Sequence, residues 1–178
     1  MIVLGIDVAA RVDRTAAAFL DNWTLAEIAL LRPPVKYPEV LAFCGSAADR
    51  ADVTLLDATG VGAAVLDMLL LDRPELIGVR FTSGDEIKAA GPIWTAGKAA
   101  LVQTLRAGLS TGKVRLALPP EQREMLREEM AAFRLVPGKR PGSWKYEAAQ
   151  GAHDDVLMAC CLAVIGAALV PKAKVRRA

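Results

Sequence analysis

The stretch Val53-Thr54-Leu55-Leu56-Asp57 constrains the fold more than any other part of this sequence. It is short, continuously apolar and β-branched at its start, which reads as a strand buried on both faces. Such strands belong to parallel sheets, whose neighbours must be joined by a crossover. The chain supplies one at once. Ala58-Thr59-Gly60-Val61-Gly62 turns it, Ala63 to Leu71 carries a helical pattern, and Leu76 to Phe81 is the next strand. A strand–helix–strand unit of this length predicts a parallel pair with a right-handed crossover.

The segments on either side have a different character. Ile2 to Val8, Thr15 to Leu20 and Trp23 to Leu31 are short apolar runs separated by polar turns, the first turn holding Arg11, Asp13 and Arg14. They predict an antiparallel meander that ends at Arg32-Pro33-Pro34. A helix is expected from Pro38 to about Asp49. Residues 82 to 95, with Gly84, Gly91 and Pro92, read as a loop long enough to suspect function. Lys98 to Leu109 predicts an amphipathic helix, Lys113 to Leu118 a short strand, and Pro120 to about Phe133 another helix. A hairpin, Arg134 to Val136 with Ser143 to Tyr146, follows around Pro137-Gly138-Lys139-Arg140-Pro141-Gly142. The last helix starts at His153-Asp154-Asp155. The expected class is mixed α/β, with antiparallel strands first and parallel additions flanked by helices. One domain over residues 1–170 is expected, followed by a basic tail at 171–178 that holds Lys172, Lys174, Arg176 and Arg177.

Composition excludes several classes. With 22 basic and 20 acidic residues the net charge is +2, so any nucleic-acid surface must be local. Cys44, Cys160 and Cys161 build no disulfide framework, and no Cys/His spacing suits zinc. The chain reads as reduced and cytoplasmic. Val156 to Val170 is the longest apolar stretch and falls short of the roughly 18 residues of a membrane span, so no membrane partner is expected. No phosphate-binding GxxxxGK[ST] motif occurs. Gly60-Val61-Gly62-Ala63-Ala64-Val65 is a weak dinucleotide signal, because its sixth residue is Val and Asp57 would repel phosphate.

Acids carry the chemical signal. Asp7 closes the first strand, Asp57 closes the strand before the crossover, and Asp154 and Asp155 open the last helix. The ends of neighbouring strands in an open α/β sheet lie at one edge, where ligands usually bind. Carboxylates gathered there repel one another unless a cation neutralises them. Magnesium or manganese prefers oxygen ligands, and two such ions would suit phosphodiester hydrolysis. Taken singly, each acid is more often a turn former or a helix cap than a ligand; three at matching topological positions favour the ligand reading. Arg134, Lys139, Arg140 and Lys145 gather around the predicted hairpin and suit a DNA backbone, or simply a solvated hairpin. Trp94 and Trp144 suit base stacking or, by default, the core.

Several of these segments resemble, in order along nearly the whole chain, the nuclease domain of phage terminase large subunits. Gly5-Ile6-Asp7 with Asp13-Arg14-Thr15-Ala16 resembles its opening, and Leu56-Asp57-Ala58-Thr59-Gly60-Val61-Gly62 its second acidic motif. Gly97-Lys98 with Leu101-Val102 and Leu105, then Gly112-Lys113-Val114, is similar to its lysine-bearing helix and following strand. Glu128-Glu129-Met130 with Phe133 resembles its penultimate helix. Tyr146-Glu147 through Gly151-Ala152-His153-Asp154-Asp155 and Leu162-Ala163 resembles its closing motif.

The resemblance implies a ribonuclease H-like fold with a mixed five-stranded sheet, and a two-metal endonuclease cutting double-stranded DNA to 3′-hydroxyl and 5′-phosphate ends. Asp7 and Asp57 would flank the metals. Asp155, with Asp154 beside it, would complete the site; the apolar residues that follow favour Asp155 as the main ligand. Lys98 would contact phosphate or tune a metal-bound water, or else be a solvated charge. Asp13 reads as a turn former or a peripheral ligand, and His153, the one histidine, as a hydrogen bonder near the site or simply an exposed residue. A packaging ATPase or portal is the implied partner. Holliday-junction resolvases share the fold and are the alternative enzyme. A DNA- or protein-binding module without the chemistry is the alternative outside enzymes.

Overall fold

Alternation along the first strand divides the molecule into two cores. In the computed structural model, which describes residues 1–9, 13–137, 144–148 and 153–170, strand β1 (Ile2–Asp7) turns Leu4 and Ile6 to one side and Val3 to the other. Strand β4 (Val53–Asp57) repeats this, with Leu56 in one core and Val53 and Leu55 in the other. Period two with both faces apolar is what a sheet covered by helices on both sides demands.

The sheet is mixed. β1 pairs antiparallel with β2 (Thr15–Asp21), and β2 with β3 (Thr24–Leu31), which completes the expected meander. On its other edge β1 pairs in parallel with β4, and β4 with β5 (Ile77–Thr82). α1 (Tyr37–Ala48) and α2 (Val61–Leu69) cover one face through Val40, Cys44, Val65 and Leu66. Burial pushes the Cys44 thiol up to about 12, consistent with its role as a small hydrophobe.

Among the described residues the sheet has eight strands rather than five, in the order β6-β7-β5-β4-β1-β2-β3-β8. Two of the additions lie where a loop was expected. β6 (Ile87–Lys88) and β7 (Ile93–Gly97) form a small hairpin, and β7 docks parallel to β5 with Trp94 and Ala96 buried. Gly91 and Pro92 lie in the turn between β6 and β7, and Trp94 is a core residue. β8 (Arg115–Leu116) pairs with β3 at the opposite edge. β9 (Phe133–Pro137) and β10 (Trp144–Ala148) form the separate expected hairpin.

The second face is covered by α3 (Lys98–Ser110), α4 (Pro120–Ala132) and α5 (Asp155–Leu169). α5 is buried without interruption from Asp155 to Gly166, between the sheet and the helices α3 and α4. A helix apolar on all sides has to be enclosed in this way. Among the described residues no helix is long and apolar enough to cross a membrane. The close approach of α5 requires Gly5. A Cβ there would stand 2.1 Å from the Ala159 carbonyl oxygen and 2.5 Å from the Ala163 nitrogen. Contact of this helix with the middle of β1 fixes where its N-terminus lies relative to the end of that strand.

Candidate active site

Asp7 and Asp57 end adjacent parallel strands at one height, since Ile6 stands opposite Leu56 one residue earlier. Both are buried. The chain then leaves β4 through a turn in which the Thr59 N–H donates to Asp57 Oδ1 at 2.8 Å, while Thr59 Oγ1 accepts from the Phe81 N–H at 2.9 Å. Gly60, at φ +57°, makes the bend that starts α2 directly at Val61, two residues earlier than the sequence pattern indicated.

The N-terminus of α5 brings the remaining acids. Asp7, Asp154 and Asp155 each place one carboxylate oxygen within 4.8 Å of the others. Asp57 adjoins this group, its carboxyl close enough to Asp7 for the two to interact. Asp154 occupies the N-cap position, yet its side chain makes no capping hydrogen bond. It accepts instead from Lys98 Nζ at 2.6 Å. The capping interpretation therefore fails for Asp154, and Lys98 faces the pocket rather than solvent. Its ammonium also lies 5.5 Å from the centre of the Phe81 ring.

Burial followed by repulsion from Asp57, Asp155 and Asp154 raises the Asp7 pKa well above the usual carboxylate range. Burial raises Asp57 as well, partly countered by the Thr59 hydrogen bonds. Burial opposes the Lys98 charge, but Asp154, Asp7 and Asp57 outweigh it and hold the ammonium above its ordinary pKa. One lysine among four carboxylates leaves the pocket anionic.

Outside this pocket Arg14 Nη2 donates to Glu129 Oε1 at 2.6 Å, and Arg14 Nε to Asp155 Oδ2 at 3.4 Å. His153 Nδ1 lies 3.4 Å from Asp13 and 3.7 Å from Asp155, so both peripheral residues border the last helix.

No family model matches the sequence, and no curated protein is similar to it. Solved structures are. The large terminase nuclease of thermophilic phage G20c, with bound magnesium, is 18% identical and superposes with a TM-score of 0.70 over 93% of this chain and 80% of that one. The nuclease domain of the large terminase subunit of bacterial virus Sf6 is 16% identical, with a TM-score of 0.66 over 92% and 87%. A variant of the Sf6 domain with manganese gives 17%, 0.63, 90% and 87%. The chain has the terminase-nuclease fold.

Within the terminase-nuclease fold the expected mixed α/β class holds, and Asp7, Asp57, Asp154, Asp155 and Lys98 come together in one cluster. Arg134 is exposed on β9. Lys139 and Arg140 lie outside the described residues, as do the tail at 171–178 and the side chains of Trp144 and Lys145. Sequence reasoning gave no role to Arg14 or Glu129. Both stand in segments that carry the resemblance, Asp13-Arg14-Thr15-Ala16 and Glu128-Glu129-Met130, and that was the available signal.

Asp7, Asp57, Asp155 and Glu129 all have raised pKa values, so the folded protein holds more protons than the unfolded chain above the ordinary carboxylate range. Stability must then fall as pH rises through that window. In the presence of a chelator the melting temperature is expected to climb between about pH 8 and about pH 5. A profile that is flat or rises toward alkaline pH would contradict this electrostatic picture.

Proposed function

We propose that this chain is a divalent-metal-dependent DNA endonuclease of the terminase type. The convergence of Asp7, Asp154 and Asp155 to within 4.8 Å, with Asp57 against Asp7, is the observation that carries the reading. These residues come from both ends of the sequence, and their repulsion is a folding cost without structural return. The neighbours of the same fold that hold magnesium and manganese support it.

The donor set fits such an ion. It consists of carboxylate oxygens, which suit magnesium and manganese, and no thiol stands among them. Asp7, Asp57, Asp154 and Asp155 would hold the metal, two ions being the assignment that four acids suggest. When bound, the metal lowers the pKa of water and offsets charge developing on a phosphodiester. The protein's own groups prepare the rest. The Thr59 N–H fixes one oxygen of Asp57. Lys98 keeps Asp154 turned into the pocket and supplies a cation beside the place where a phosphate would enter. Arg134, with Lys139, Arg140 and Lys145 close to it in sequence, would meet the DNA backbone through sequence-independent charge contacts. The partner assignment is double-stranded DNA in a packaging assembly, with an ATPase or portal alongside.

Supercoiled, linear and four-way-junction DNA incubated with the protein test this reading. Nicking and linearisation are expected in millimolar manganese or magnesium and none with chelator, and the products should be ligatable without added kinase. Selective cutting of the junction would transfer the assignment to a resolvase. Intact DNA of all three kinds, at every metal concentration, would overturn it.

A further inference from the structure

We infer that Arg14 and Glu129 are positioning residues that form an internal strut, locking the Asp155 carboxylate in the orientation the acidic pocket requires. This rests on the active-site reading above and extends it to two residues outside the acidic cluster.

The strut spans three elements. Arg14 leaves the turn before β2, Glu129 projects from the last part of α4, and Asp155 opens α5. Arg14 grips Glu129 Oε1 at 2.6 Å and reaches Asp155 Oδ2 at 3.4 Å. The second oxygen of Glu129 accepts the Leu157 N–H at 2.8 Å. That N–H belongs to the first turn of α5, where donors have no partner inside the helix. Since Asp154 makes no cap, Glu129 performs this service from another helix and ties α4 to the turn that bears Asp155. Arg14 Nη1 is also spoken for, lying 3.4 Å from Met125 Sδ. The guanidinium therefore has little freedom to rotate.

Side-chain exposures are 15% for Arg14, 6% for Glu129 and 10% for Asp155. An ion pair this deeply enclosed is weak evidence of stabilisation, because apolar residues of similar volume generally do as well. What it supplies is direction: the planar guanidinium spans the two carboxylates, Nη2 on Glu129 and Nε on Asp155, and so sets one relative to the other. Carboxylates that bind metals are themselves commonly held by hydrogen bonds from behind, and removing those holders typically weakens metal binding 10- to 100-fold. Arg14 occupies that place behind Asp155, and Glu129 occupies it behind Arg14.

Two conservative variants separate this role from simple helix capping. Glu129→Gln keeps an oxygen for the Leu157 N–H but loses the charge that holds Arg14. Arg14→Lys keeps the charge but loses the fork. Manganese titrations followed by calorimetry and by thermal shift read metal affinity, far-UV circular dichroism reads the fold, and amide exchange reads the Leu157 N–H. Both variants should fold as wild type, Glu129→Gln should retain Leu157 protection, and half-saturation should need about 10-fold more manganese or higher in each. Glu124→Gln, an exposed change on the same helix, should leave the midpoint alone. If either folded variant has the wild-type midpoint, the strut is wrong. A shifted midpoint accompanied by lost Leu157 protection in Glu129→Gln also overturns it, in favour of capping alone. A wild-type protein silent to manganese overturns the active-site reading together with the strut.

Discussion

Asp7→Asn should abolish metal-dependent nicking while raising the melting temperature of the metal-free protein. Both effects follow from one arrangement. Asp7 is 8% exposed and carries a carboxyl that burial and the charges of Asp57, Asp155 and Asp154 disfavour in its ionised form. Asn has nearly the same shape and no charge, so the repulsion disappears with little change in packing. Relief on the order of 1 kcal/mol corresponds to about 2–4 °C for a chain of this length. On the proposed metal assignment, losing the Asp7 carboxylate should reduce nicking by at least about 1,000-fold, about 4 kcal/mol at the transition state. The variant's melting temperature should no longer respond to manganese, because binding stabilises only what binds. Asp57→Asn should share the loss of nicking with a smaller gain in stability, since the Thr59 N–H already supports the Asp57 charge. Melting curves with and without manganese, beside plasmid nicking, check all of this. Full nicking by either variant, or a less stable Asp7→Asn protein, would remove the basis of the assignment.

The second large effect concerns the fold. Gly5→Ala should cost about 3 kcal/mol, at the upper end of what overpacking usually costs, and Gly5→Val should not yield a folded protein. The added Cβ meets the Ala159 carbonyl oxygen at 2.1 Å, the Ala163 nitrogen at 2.5 Å and the Leu162 Cβ at 2.8 Å. The two closest of these are backbone atoms of α5, which cannot rotate aside as a side chain can. The helix must lift from the sheet, and Asp155 must move away from Asp7 with it. Gly84→Ala is the matched control, because the nearest atom there is 3.8 Å away. Thermal melts of the three variants decide the matter. A Gly5→Ala protein that melts like wild type would show that α5 does not rest on β1.

Much of this arrangement was legible before any coordinates. β4 was readable to the residue because a buried parallel strand is short, apolar and ended by a polar turn. The acids were readable because each marks a point where apolar sequence stops or starts. β7 escaped because Gly91-Pro92 punctuates its approach and Ile93 to Gly97 runs directly into α3, so a five-residue strand merged with its surroundings. Arg14 and Glu129 escaped for a different reason. Their contact joins positions 115 residues apart, and Glu129 stands beside Glu128 on a helix rich in exposed acids. Periodicity reports which face of an element is buried; it carries no signal for a polar group that is buried because of a distant partner. Asp154 illustrates the same limit, since its position announces a cap and only the nearness of Lys98 turns it elsewhere.

The placement of α5 against β1 has a temporal consequence. A ribosome releases Asp7 and Asp57 long before Asp154 and Asp155, and the early strands can pair while the last helix is still being made. Until that helix emerges and settles on Gly5, the nascent polypeptide holds only half of its charge cluster. Assembly of the full charge cluster therefore waits on α5, however early the strands that carry Asp7 and Asp57 have paired.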